Sequence, residues 1–231
     1  MMRIRRGPAR GMKWITGSSI HGCWLGTYEF DKQTALLRFV KPGMVVYDIG
    51  RRPDFTRYSS QARRESGRVY AFEPCPYEAH FLVDHVRINE LANVRIVQAA
   101  VGERTGLVGM TIDRGLTQNQ ICNHSNSVLT VPAVTLDRSG LEPPDLIKMD
   151  VEGAESAVLK GAQATLHDAR PVVCSASRAW ATRRVCRILR ASEYDIYSLK
   201  GQPMDQAAAI VEIYGFPAEP ALAKVMRGDA W

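Results

Sequence analysis

Residues 45–64 read VVYDIGRRPDFTRYSSQARR. The first six, Val45 to Gly50, are an apolar run rich in β-branched and aromatic residues that closes on an acid and a glycine. Such residues favour strands. A run apolar at both odd and even positions is a strand buried on both faces, as in the middle of a parallel sheet. The next three residues, Arg51-Arg52-Pro53, are crowded where a nucleotide-binding loop is small and flexible. The stretch therefore allows a ligand site with an unusual loop, a site that has been lost, or a strand end that holds nothing.

Outward from this stretch the chain repeats the same unit. Apolar β-rich runs lie at Met44–Ile49, at Arg68–Phe72 closed by Glu73-Pro74, at Val94–Val101, at Leu146–Val151 and at Pro171–Ala176. Between them, Tyr77, Phe81, Ile88 and Leu91 recur at spacings that share one helix face, and Val158, Leu159, Ala162 and Leu166 do the same. Buried strands separated by amphipathic helices predict an α/β fold, a parallel sheet with helices on both faces. Residues 102–135 interrupt the rhythm with strand-like pieces at Leu107–Ile112 and Val128–Val134 around a polar loop, Thr117–Ser127. Near the end, Tyr194–Leu199 and Ala208–Tyr214 flank Lys200-Gly-Gln-Pro203, which predicts a C-terminal antiparallel hairpin. Residues 1–30 read as an N-terminal extension and 31–231 as one domain.

Composition sets the limits. With 231 residues, 45% of them hydrophobic and 23% charged, the chain suits an ordinary globular domain that can bury a core without staples. No apolar run approaches bilayer length, and the basic start, Met1 to Lys13, does not lead into the apolar stretch of a secretory signal. Five scattered cysteines (Cys23, Cys75, Cys122, Cys174, Cys186) with no CxxC pair predict reduced thiols in a cytoplasmic setting. Cys122-Asn-His124 is too sparse for a metal, so no metal site is expected.

The net charge of +6 invites a nucleic-acid reading. Its basic residues fall in the head (Arg3, Arg5, Arg6, Arg10, Lys13) and on a helix carrying Arg178, Arg183, Arg184, Arg187 and Arg190, whose buried side is Val185, Ile188 and Leu189. Neither alternates with aromatics as a stacking platform does, so nucleic acid is not an expected partner.

Ligands of open α/β sheets bind beyond the C-terminal strand ends where the strand order reverses. The first run ends in Asp48 and Gly50, and the second in Glu73. Glu73 stands 23 residues after Gly50 (73 − 50), near the spacing of about 20 at which an acid meets ribose hydroxyls. A carboxylate accepts two hydrogen bonds from a vicinal diol, although an acid here serves equally well as a helix cap. The third run carries Gln98-Ala99-Ala100, small enough for a flat base to lie near the backbone, and the fourth ends in Asp150-Val-Glu152-Gly153.

The segments KPGMVVYDIG, GRVYAFEP, NVRIVQAAVGERTG and PPDLIKMDVEGAESAVLKGA together resemble the motifs of the FkbM family of S-adenosylmethionine-dependent methyltransferases, and upstream GSSIHGCWLGTYE resembles the segment preceding the domain in some members. The similarity spans most of residues 17–170. It implies a Rossmann-like class I methyltransferase fold, with a mostly parallel seven-stranded sheet whose last strand is antiparallel. It also implies S-adenosylmethionine as cofactor and methylation of a hydroxyl on a sugar or secondary metabolite. By position, Glu73 would hold the ribose hydroxyls, Asp48 and Gly50 would belong to the loop under the methionine portion, Ala99 and Ala100 would flank the adenine, and Pro74 would be a further cofactor-binding residue. Asp150 and Glu152 would stand near the sulfonium as the catalytic pair, where carboxylates favour the positive sulfur.

Two places depart from the family pattern. Arg51, Arg52, Pro53 and Asp54 occupy the positions of Ala, Asn, a variable residue and a second Gly. Aspartate is poorly suited to a glycine's positive φ, and Pro53 removes a backbone donor. The arginines either grip the cofactor's carboxylate or fill its place, and Tyr58-Ser59 stands in for an aromatic-hydroxyl pair in shifted register. After the fifth run, Cys174-Ser-Ala-Ser-Arg178 replaces the Glu and His of many members. The candidates for a base are then His21, His124, Asp150 and Glu152, while His85 reads as a core histidine. Two functions stay open: a methyltransferase for a small-molecule or glycan acceptor, or an impaired member of the same fold acting as a binding or scaffold module. A nicotinamide-dependent oxidoreductase lacks the GxGxxG that bare amides at a helix start require. A nucleic-acid amino-methylating enzyme lacks its Asn/Asp-Pro-Pro-aromatic element.

Overall fold

The structure, a computed structural model, describes residues 1–19, 21–28, 30–50, 67–111, 120–122, 127–151, 153–176, 179–198, 200–204 and 212–218. Two short strands, β1 (Met2–Arg3) and β2 (Lys13–Trp14), pair antiparallel and lead into α1 (His21–Leu25) and α2 (Phe30–Phe39). Then come β3 (Val45–Ile49), β4 (Arg68–Phe72), α3 (Pro76–Ile88), β5 (Val94–Val97), β6 (Ala100–Val101), β7 (Gly106–Thr111), β8 (Gln120–Cys122) and β9 (Leu129–Val134). The chain continues through β10 (Leu146–Met149), α4 (Glu155–Lys160), α5 (Gln163–Asp168), β11 (Val172–Ala176), α6 (Ala179–Ala191), β12 (Tyr194–Ser198) and β13 (Glu212–Pro217).

Seven strands form one sheet in the order β12-β13-β11-β10-β3-β4-β5. Successive pairs are parallel except that β13 runs antiparallel between β11 and β12. This is the expected mostly parallel sheet with its late antiparallel hairpin. The two faces of the sheet carry alternate residues of each strand. One face offers Val46, Val69, Leu146, Val172, Tyr214 and Phe216 to α2 (Leu36, Phe39) and the N-terminal residues Ile4, Met12 and Trp14. The other offers Tyr47, Ile49, Phe72, Ile147, Met149 and Val173 to α4, α5 and α6 through Val158, Leu159, Leu166, Val185 and Leu189. Burial on both faces is what the unbroken apolar runs require.

The first face depends on the chain's start. Trp14 is 0% exposed, and its ring lies 4.7 Å from that of His85. The Ile15 amide donates to His85 Nε2 at 3.2 Å, so His85 is a core residue, as the sequence implies. Asn89 adds two contacts, accepting from the Lys13 amide at 2.7 Å and donating to the Lys13 carbonyl at 3.0 Å.

Two expectations need correction. The run Val94–Val101 is not one strand. After Val97 the Ala99 amide turns back onto the Val97 carbonyl at 2.9 Å, and Ala100–Val101 leaves to pair in parallel with β9. It thereby enters a separate four-stranded sheet ordered β6-β9-β7-β8, which houses the irregular stretch after residue 102. In addition, α3 is a helix, but the face of Tyr77 and Phe81 is not the one it buries. Tyr77 is 64% exposed and touches Phe81 edge-on, whereas Ala79, Leu82 and His85 are buried. The spacing of large apolar residues shows that a helix forms. The smaller residues let it pack closely against the N-terminal segment, and that packing chooses the face.

Candidate functional site

The strand order reverses between β3 and β10, since β3 continues to β4 on one side and meets β10 on the other. Four strand ends are laced together there by backbone hydrogen bonds. The Asp150 amide donates to the Ile49 carbonyl at 3.0 Å, the Gly50 amide to Phe72 at 3.0 Å, and the Glu73 amide to Val97 at 3.1 Å. Asp150, Gly50, Glu73 and the Gln98-Ala99 turn therefore form one contiguous row along the C-terminal edge of the sheet.

Gly50 is obligatory at this crossing. Its φ is +96°, and a Cβ placed there would lie 2.2 Å from the Asp150 carbonyl oxygen. Only a residue without a side chain lets β3 end this close to β10.

Glu73 is buried, and its Oε1 accepts from the Cys75 amide at 2.8 Å. Cys75 is the N-cap residue of α3 and Pro76 opens the helix, so Glu73 holds the entry to that helix from the end of β4. Pro74 is half-buried between them. Ala99 and Ala100 are buried, and Ala100 lines a cleft of about 310 Å³ with Val101, Val108, Ala133, Ala154 and Ala157. The cleft brings Ala100 of β6 beside Ala154 and Ala157 at the start of α4.

Asp48 sits differently from a strand-tip ligand. It is 1% exposed and its Oδ1 lies 2.9 Å from Lys148 Nζ, itself buried on the adjacent strand in register with it. Charges this deep are tolerated only when paired. The signal in the sequence is a lysine inside the apolar Leu-Ile-Lys-Met, which needs an acid once buried; that the acid is Asp48 follows from the register of β3 against β10. Cys174 is next in the same row on β11. Burial pushes its thiol pKa well above the usual range, with Lys148 pulling weakly the other way.

Glu155, an acid that reasoning from strand ends misses, opens α4. It is 0% exposed, and the Gly153 amide donates to its Oε1 at 3.1 Å. Burial raises its carboxyl pKa and the nearby Asp150 adds to the rise, while the backbone amides of Glu155, Gly153 and Val151 oppose it. Its signal is an acid two residues after a glycine at a helix start. Asp150 is half-buried at the turn, and His21 is exposed on α1 beside Trp24. Glu152, His124, the Arg51-Arg52-Pro53-Asp54 loop, Tyr58-Ser59 and Arg178 lie outside the described residues. Among the described residues no three His, Cys, Asp or Glu side chains are grouped to hold a metal, and no helix is long and apolar enough to cross a membrane.

A seven-stranded sheet with one reversed strand next to the edge and an acid-bearing row at its switch point defines the Rossmann-like fold of the methyltransferases. The profile of the methyltransferase FkbM domain matches residues 45–219, and the chain belongs to that family. Solved structures agree at the level of fold. A methyltransferase FkbM from Methylobacillus flagellatus KT superposes with a TM-score of 0.52 at 18% identity, over 75% of this chain and 44% of that one. This chain thus spans less than half of that protein's length. A precorrin-6y C5,15-methyltransferase from Geobacter metallireducens GS-15 gives 0.55 at 15% identity, covering 87% and 93% of the two chains. Fibrillarin from Aeropyrum pernix, solved with natively bound S-adenosyl-L-methionine, gives 0.50 at 17% identity, covering 80% and 74%. No curated protein matches the sequence.

Proposed function

We propose that the chain binds S-adenosylmethionine along the strand-end row and methylates a hydroxyl of a small molecule or glycan. The observation that carries this reading is the row itself, in which Asp150, Gly50 and Glu73 are joined edge to edge at the reversal of strand order. The donor set suits the group. Glu73 supplies a carboxylate at the end of β4 for the ribose hydroxyls, with its backbone anchored by Val97 and one oxygen steadied by Cys75. Pro74, Ala99 and Ala100 offer small or flat surface for an adenine. Gly50 lets the end of β3 pass close to Asp150.

Bound there, the cofactor supplies an electrophilic methyl on a positive sulfur. Asp48 contributes by holding the end of β3, because Lys148 already balances its charge. The electrostatic role falls to Asp150 and Glu152, carboxylates for the sulfonium side of the site. One of this pair would take up the acceptor's hydroxyl proton. The rest of the rate comes from holding acceptor oxygen and methyl in line at near-attack distance.

The Arg51-Arg52-Pro53-Asp54 substitution favours the second reading, an impaired member kept as a binding or scaffold module. Calorimetric titration with S-adenosylmethionine and S-adenosylhomocysteine separates the two. Micromolar binding that Glu73→Ala abolishes supports the enzyme. No heat with the unaltered protein sinks it.

A further inference from the structure

We infer that Glu155 is the positioning residue of this site: through the Gly153 amide its buried carboxyl steadies the chain just after Asp150, at Val151 and Gly153, and with it the direction in which Asp150 points. The inference rests on the reading of the Asp150 turn as part of the cofactor and acceptor site. The turn has a fixed start, because the Asp150 amide is held by the Ile49 carbonyl and its own carbonyl abuts Gly50. Its far end has Gly153 at a φ of +100°, and Ala154 bonds back to the Val151 carbonyl at 3.2 Å. The side chain that grips this far end is Glu155, at 3.1 Å from the Gly153 nitrogen.

Glu155 is itself immobilised. Within the same short helix Val158 and Leu159 are 0% exposed in the core that also holds Val185 and Leu189 of α6. The helix therefore transmits the rigidity of the core to the turn. A wholly buried carboxyl is a costly way to fill space, since an apolar side chain would do so without losing its water. The compensation visible in the structure is the Gly153 amide, which donates to Oε1 from within the turn, while Oε2 is buried without a hydrogen-bond partner among the described residues. Ordering the turn is the return on that cost. Asp150 then meets a ligand from one direction without having to be ordered on binding.

The test uses the full chain with Glu155→Ala and Glu155→Gln, the amide retaining an oxygen for Gly153. Hydrogen exchange at the Gly153 amide is measured without ligand, and the affinity for S-adenosylhomocysteine by calorimetry. Losing one such hydrogen bond is expected to speed Gly153 exchange about tenfold relative to β10 amides, and to weaken binding by about the same factor. Glu155→Gln is expected to return both to within about threefold of the unaltered protein, a rescue that mere space-filling would not produce. If Glu155→Ala does not fold, Glu155→Asp, whose carboxyl falls short of Gly153, takes its place. Unchanged Gly153 exchange, a Gln variant as impaired as the Ala variant, or faster exchange with unchanged affinity each overturns the inference. If the unaltered protein binds no cofactor, the proposed function fails, and the exchange measurement alone decides whether Glu155 orders the turn.

Discussion

Replacing Lys148 by methionine removes one half of the ion pair that joins β3 to β10 and keeps most of its bulk. At an effective dielectric of about 20, unit charges separated by the observed 2.9 Å attract by about 6 kcal/mol. Burying each ion costs several kcal/mol, so the pair as a whole is worth little against an apolar pair of similar volume. The single substitution is another matter. It takes the Lys148 charge away from the Asp48 carboxylate, 1% exposed, and the expected loss is about 3–5 kcal/mol. Asp48→Val combined with Lys148→Met removes both charges and is expected to recover most of that loss. Urea unfolding monitored by tryptophan fluorescence, with Trp14 fully buried in the adjoining core, reads all three proteins. A single variant that loses less than about 1 kcal/mol, or a double variant as unstable as the single, would refute the reasoning.

Gly50→Ala forces a Cβ to within 2.2 Å of the Asp150 carbonyl oxygen at a left-handed φ. The expected loss is about 2 kcal/mol or more, with weaker cofactor binding, read by thermal unfolding and calorimetry. Glu155 imposes a pH dependence whose sign comes from burial raising its carboxyl above the ordinary 4.5. The neutral form is the one the fold prefers, so its contribution is complete below the ordinary carboxyl pKa and is lost as pH rises through the raised value. Subtracting the stability curve of Glu155→Gln from that of the unaltered protein should give a difference that falls from pH 4.5 upward, and a flat difference would contradict it.

Much of the architecture is written in the apolar runs. Four of them lie within two residues of the strands at β3, β4, β10 and β11, because a strand buried on both faces leaves no polar period to misread. The break between β5 and β6 falls at Gln98, but one polar residue inside Val94–Val101 is too slight a mark to divide the run, which also carries Arg95 within β5. What divides it is the turn at Gln98-Ala99 and a partner strand more than thirty residues later, and the second leaves no mark within the run. The inward face of α3 is hidden for a related reason. Its large residues Tyr77 and Phe81 outweigh Ala79 and His85 in any hydrophobic count, yet the close N-terminal segment selects the small ones.

At the site, Asp48, Gly50, Glu73 and Asp150 can be placed at strand ends from sequence, and the structure sets them on adjoining strands. That Asp48 points into the sheet's packed face toward Lys148 depends on the register of β3 against β10, which a single strand does not reveal. Glu155 escapes a reading of the sequence because an exposed acid is common in a first helical turn. Only the packing of α4 shows that this one has lost its solvent.

The position of β13 has a consequence for how the chain is completed during synthesis. β12 emerges before β13, yet among the described strands its partner in the sheet is β13, which lies between it and β11. Until Glu212–Pro217 has been made, β11 and β12 each present a bare edge, and the gap between them is one strand wide. Bare edges invite pairing with other chains. The last piece of the sheet to be translated is thus the one that closes it, as a keystone closes an arch. A nascent chain arrested before that point would be held by its parallel core while remaining open to a stranger's strand.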